Sequence, residues 1–240
     1  MAQRPLLRFL EVCKTYVVVN KPAGVFSQLP DIVKWRQNHG DEHLPLLMDL
    51  VRSCAQESGL ESSEWRTVHR LDTNVTGGLL IAKDKNSAAH FSKNLKKGGN
   101  SGYKLVRKYV ALIDGATRNL PTKGVLEHNG MKSWFRKIDS GALVLQLCTG
   151  KKHQIRLQLA RGLGVPIMND IKYRGKQVRS AGHQIGLHSA LIQTQVGLQK
   201  RKHLIPVDSG RTSLWANYVD ETGNFKPAVQ QILLEDWEVS

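Results

Sequence analysis

The stretch HRLDTNVTGGLLIAK (69–83) places His69, Arg70 and Asp72 directly ahead of an apolar run. LLIA (79–82) is short and apolar and follows Gly77 and Gly78, so it reads as a buried strand entered through a glycine-rich turn. Charged groups beside a buried strand are costly unless they are paired or used. Taken alone, a surface ion pair in a loop accounts for these residues as well as a functional site does. A protein-kinase catalytic loop does not, because Leu71 separates Arg70 from Asp72 and no G-x-G-x-x-G stretch occurs in the chain.

Working outward, YVVVNKPAGV (16–25) begins with a β-branched apolar run that Pro22 and Gly24 punctuate, which predicts a buried strand ending in a tight loop. Leu47, Leu50, Val51 and Cys54 share one side of a helix expected within 44–60, with Gly59 as its stop. A lysine-rich helix is expected over 85–97, ended by Gly98 and Gly99. KYVALIDG (108–115) and ALVLQLCTG (142–150) have strong β propensity and a terminal glycine. The turn TGKKH (149–153) then leads into a helix on which Ile155, Leu159 and Leu163 form an apolar stripe. Arg156 lies off that stripe and is free to face a site, although a solvent-facing arginine would look the same. Tyr109, within RKYVAL, is on this reading a packing residue of a strand. The pattern predicts a single α+β domain over 1–240, with a mainly antiparallel central sheet flanked by helices.

The charge balance narrows the partner. Lys and Arg number 35 against 20 Asp and Glu, a formal charge of +15, which points to a polyanion. A spanning helix needs about 20 apolar residues and no run approaches that, so a membrane is not expected. Residues 85–108 carry Lys85, Lys93, Lys96, Lys97, Lys104, Arg107 and Lys108 without one acidic side chain. Lys93, Lys96, Lys97 and Lys104 are therefore candidate phosphate contacts, against the plainer reading of a solvated helix face. Cys13, Cys54 and Cys148 have no metal-ligand spacing and are expected to be buried as small hydrophobes in a reducing compartment. Arg4 and Arg8 ahead of the first acid faintly suggest an organelle presequence, with little room for one before Tyr16.

Taken together, the segments resemble the RluA family of pseudouridine synthases across nearly the whole chain. NKPAG (20–24), HRLDTNVTGGLLIAK (69–83), RKYVAL (107–112), TGKKHQIRLQLA (149–160), PIMNDIKYRG (166–175) and LHS (187–189) follow the family's motifs in order. Val75, Thr76, Lys151, Gln158 and Asn169 depart from the usual Thr, Ser, Arg, His and Gly. None of these positions carries the family's chemistry. The resemblance implies isomerisation of uridine in structured RNA without metal or cofactor: the bond from ribose to N1 breaks, the base turns, and C5 is joined instead. It implies Asp72 as the catalytic residue, Arg156 as its ionic partner, Tyr109 stacked on uracil and assisting proton removal from C5, Ile155 on the other face, and Arg70 as the wedge that fills the space of the flipped nucleotide. A carboxylate is ionised at neutral pH and needs no separate base to activate it.

The similarity is greatest to fungal mitochondrial synthases that modify large-subunit ribosomal RNA. It implies a mitochondrial monomer whose partner is ribosomal RNA. The chain is expected to have no separate N-terminal RNA-binding module. A transfer RNA target, a catalytically idle assembly factor, and a cytoplasmic or nuclear location are the alternatives.

Overall fold

A computed structural model describes residues 7–40, 42–97, 102–114, 117, 120–207 and 213–237. Strands β1 (Arg8–Val12) and β2 (Tyr16–Lys21) form an antiparallel pair, followed by helices α1 (Ile32–His39) and α2 (Leu47–Glu57). The short β3 (Arg66–Thr67) leads through the HRLD loop into β4 (Thr76–Ala82) and α3 (Lys85–Lys97). Then come β5 (Tyr103–Leu112), β6 (Lys123–His128), β7 (Met131–Lys137), β8 (Ala142–Leu147) and one helical turn, α4 (Gln154–Leu157). That turn continues with π geometry over Gln158–Gly162. Strands β9 (Leu187–Val196) and β10 (Gln199–Leu204) and helix α5 (Pro227–Leu234) complete the order.

The strands build one ten-stranded sheet in the order β1-β2-β4-β9-β5-β8-β7-β6, with β10 also on β9 and β3 also on β4. Among the described residues the pairs are antiparallel except for β4 with β9. The expected α+β class with a mainly antiparallel sheet is therefore observed. Alternation along the central strands feeds both faces. Tyr109 and Ala111 of β5 and Leu143 and Leu145 of β8 join one core, which Val51 and Ala55 of α2 cover. Val110 and Leu112 of β5 and Val144 of β8 join a second core on the far face, under Val229 and Leu233 of α5. Phe91 of α3 closes a third core with Tyr16, Val18 and Leu80.

Three expectations are corrected here. Gly77 and Gly78 are inside β4, not in a turn ahead of it. Their role is close approach: Gly77 has φ of +109°, and a Cβ there would stand 2.5 Å from the carbonyl oxygen of Ser189, its partner residue on β9. Lys108 belongs to no RNA-facing surface, because it is buried beneath the C-terminal segment. None of the three cysteines is buried; Cys13 and Cys54 are half-buried and Cys148 is exposed. Residues 8–12 form a strand paired with β2, so the fold begins ahead of Tyr16. Gly98 and Gly99, the expected helix stop, lie outside the described residues.

Candidate active site

The HRLD loop is braced from below by the NKPAG segment. Lys21 is fully buried, and its ammonium donates to the carbonyls of Pro22, Val25 and Thr73 at 2.8, 2.9 and 2.9 Å. Burial pushes its pKa down to about 7 while Asp72 acts the other way. Three carbonyl acceptors use all three protons of the charged form. Ser27 closes the loop from one side, donating to the Leu71 carbonyl at 2.8 Å and accepting from the Leu71 N–H at 3.2 Å. His69 is buried and accepts the Leu80 N–H at 3.1 Å. Burial, helped by Arg107, holds it well below the usual histidine range, so it stays the neutral acceptor that this bond requires.

Strand β9 brings the other half of the site to this loop. Ser189 is the partner of Gly77 on one side and of Tyr109 on the other, so only one strand separates the HRLD loop from β5. The pairing of β5 with β9 shifts register between Lys108 and Tyr109, leaving Ala190 of β9 without an opposite residue. Burial raises the pKa of the Tyr109 phenol and keeps it protonated.

The third component is the TGKKHQIR turn. Gln154 pins it: the side chain donates to the Lys132 carbonyl and Ser133 Oγ, both at 2.9 Å, and accepts from Thr149 Oγ1 and the Lys151 N–H. Arg156 is thereby presented to the cleft rather than the core. Its Nη1 donates to Asp72 Oδ2 at 2.8 Å, and its Nε and Nη2 form a bidentate pair with Asp170 at 2.7 and 2.8 Å. Burial works against this charge, but the carboxylates of Asp170 and Asp72 outweigh it and raise the pKa. The Tyr173 ring lies beneath the guanidinium, 4.9 Å from its centre.

One cleft of about 670 Å³ collects Arg70, Asp72, Tyr109, Ile155 and Arg156. Arg70 is exposed on its wall and bonded to Gln28 at 3.0 Å. Of the candidate phosphate contacts, Lys96 lines the cleft, whereas Lys93 and Lys104 are exposed outside it and the Lys97 side chain is not described. The cleft adds Arg107, named above in the basic stretch, and Lys151, Lys152 and His153, to which the sequence reading gave no role at the site. Lys21 and Asp170 were missed as well. Their motifs, NKPAG and PIMNDIKYRG, were quoted, but what each side chain meets is far away along the chain. Among the described residues no group of three His, Cys, Asp or Glu is placed to hold a metal ion.

Two departures from the family pattern have local explanations. Asn169 has φ of +61°, a left-handed conformation suited to Gly or Asn, and its side chain bonds Gly182, Gln184 and Val178. Gln158 satisfies its buried amide with Ser133, Leu126 and Met131.

The cleft thus brings together a carboxylate paired to a buried arginine, an aromatic ring and several basic side chains. The chain belongs to the RNA pseudouridylate synthase family, whose model matches residues 15–161, and it is an RNA pseudouridine synthase. It is 42% identical over 240 residues to the "21S rRNA pseudouridine(2819) synthase" of Saccharomyces cerevisiae, covering 93% of this chain and 94% of that one. The Kluyveromyces lactis protein of the same name is also 42% identical, over 93% of this chain and 76% of its own length. Among solved structures, Human RNA Pseudouridylate Synthase Domain Containing 1 superposes with a TM-score of 0.61 at 17% identity, covering 98% of this chain and 97% of that one. The likeness to that structure shows the shared fold.

Proposed function

We propose that this synthase isomerises a uridine of the mitochondrial large-subunit ribosomal RNA, with Asp72 initiating cleavage of the glycosidic bond. The observation that carries the target is the 42% identity, over 93% of the chain, to the Saccharomyces 21S rRNA enzyme. The assignment of Asp72 is supported by its pairing with Arg156 in a cleft that also holds Tyr109.

The target atoms are inaccessible in a stacked helix, so the nucleotide must be flipped into the cleft. Arg70, exposed on the cleft wall, is placed to fill the vacated space. Arg156 pairs Asp72 and fixes its rotation. Tyr109 and Ile155 hold the detached uracil between them, stacking being worth about 1–3 kcal/mol per base. Tyr109, which lines the same cleft as Asp72, is also placed to assist removal of the C5 proton. Lys96, Arg107, Lys151 and Lys152 attract phosphates at the cleft, and Lys93 and Lys104 extend that field outside it. We read residues 1–240 as one catalytic domain that acts in mitochondria as a monomer.

The test is to map pseudouridine in mitochondrial and cytoplasmic RNA from cells lacking the protein. One large-subunit ribosomal site should lose the modification and regain it with the wild-type protein but not with Asp72→Asn. Loss confined to a transfer RNA would overturn the target.

A further inference from the structure

Arg156 engages one oxygen of Asp72, Oδ2, at 2.8 Å. The other, Oδ1, faces His153 Nε2 at 3.7 Å, with the two side chains 14% and 21% exposed. That distance is beyond a hydrogen bond in the free protein, but such contacts tighten when substrate closes a site. The opposite ring nitrogen, Nδ1, is 2.7 Å from the Tyr173 hydroxyl. A carboxylate only accepts, so a bond from His153 to Asp72 needs the proton on Nε2. In the neutral imidazole Nδ1 is then an acceptor, and the Tyr173 hydroxyl donates to it. The environment favours the neutral ring: burial lowers the His153 pKa against the opposing pull of Asp72, and Arg156, Lys172 and Lys152 lower it further.

Tyr173 thus serves both partners of Asp72, its ring face lying under Arg156 and its hydroxyl on His153. His153 also adopts φ of +56° and ψ of +24°, a left-handed conformation that costs a non-glycine residue energy. Glycine fits that backbone best, so the fold alone gives no reason for an imidazole at this position. Strained non-glycine residues of this kind gather at functional sites.

We propose that His153 is a positioning residue for Asp72, its Nε2–H orienting Oδ1 in the RNA complex while Tyr173 sets the tautomer. The inference rests on Asp72 as the initiating group. The experiment measures single-turnover release of tritium from uridine-labelled total RNA of cells lacking the protein, together with RNA affinity. His153→Gly suits the left-handed backbone and should fold. Its rate should fall about tenfold to a hundredfold, the loss of one charge-assisted hydrogen bond, with RNA affinity held within about threefold. Added imidazole should restore a large part of the rate, which a purely structural role would not allow. Tyr173→Phe, which keeps the ring under Arg156, should slow the reaction by a smaller factor of about three to ten. A His153→Gly rate within twofold of wild type, or no recovery with imidazole, overturns the role of His153 and leaves Asp72 in place. Activity in Asp72→Asn would instead remove the reading on which it rests.

Discussion

Arg156 on the cleft side of the sheet and Lys108 on the far side are both buried cations, and they are held by opposite means. Arg156 is locked between two carboxylates, one of which, Asp72, opens onto the cleft. Lys108 donates to backbone carbonyls, that of Leu233 at 2.9 Å and that of Glu235, with its ammonium over the Trp237 ring. The first arrangement fixes a carboxylate at the wall of the cleft. The second caps the end of α5 and ties the C-terminal segment to the sheet. Burial of a charge therefore does not by itself mark a site; what marks it is a partner with spare valence facing a cleft.

The contrast is sharpest at Asp72. Asp72→Asn should lower the single-turnover rate by about four orders of magnitude or more, the scale of losing an initiating group. Its unfolding free energy should change by less than about 1 kcal/mol, since Asp170 still pairs Arg156. Urea denaturation beside the rate assay checks both halves, and a large loss of stability would erase the distinction between the two faces.

Arg156→Ala strikes both functions together, because it leaves the buried Asp170 carboxylate without its partner. A loss of about 3–5 kcal/mol in unfolding free energy is expected, along with activity.

Lys108→Met is the opposite case. Removing the two carbonyl bonds should cost about 1–3 kcal/mol and leave the rate unchanged. Burial, with Lys202 and Arg136 nearby, pushes the Lys108 pKa down to about 7. Between pH 7 and the ordinary lysine range the unfolded chain holds a proton that the folded protein has released, so stability tied to this group rises with pH. The wild type should gain on the methionine variant as pH is raised through that window, and equal slopes would show that Lys108 does not titrate there.

The elements that formed where the pattern placed them were those with a local signal. The apolar run of β2, the stripe of α2 and the bounds of α3 need only neighbouring residues. Less regular regions were unassigned: β6, β7, β9 and β10, with α1 and α5, carried no pattern strong enough to place them. The most consequential omission was β9, the strand that sets Gly77 beside Ser189 and so brings Tyr109 to the HRLD loop.

The candidate site divides in the same way. Asp72, Tyr109, Arg156, Ile155 and Arg70 were legible as ordered motifs, and the cleft does collect them. Lys21, His153, Asp170 and Tyr173 were not singled out, since each matters for what it meets: Lys21 for the carbonyl of Thr73, His153 for Asp72, and Asp170 and Tyr173 for Arg156.

The amino-acid sequence alone determined the class of fold and the basic character that suits RNA, which follow from residue types and their local spacing; the residues proposed to bear the chemistry came from the ordered motifs and the family resemblance they carry. Only the tertiary structure decided which oxygen of Asp72 is occupied, why two glycines enter β4, and which buried cation lines the cleft. Those answers depend on contacts between segments far apart in the chain, Asp72 with Arg156, Gly77 with Ser189 and Lys108 with Leu233, where the backbone's path sets the distance between side chains.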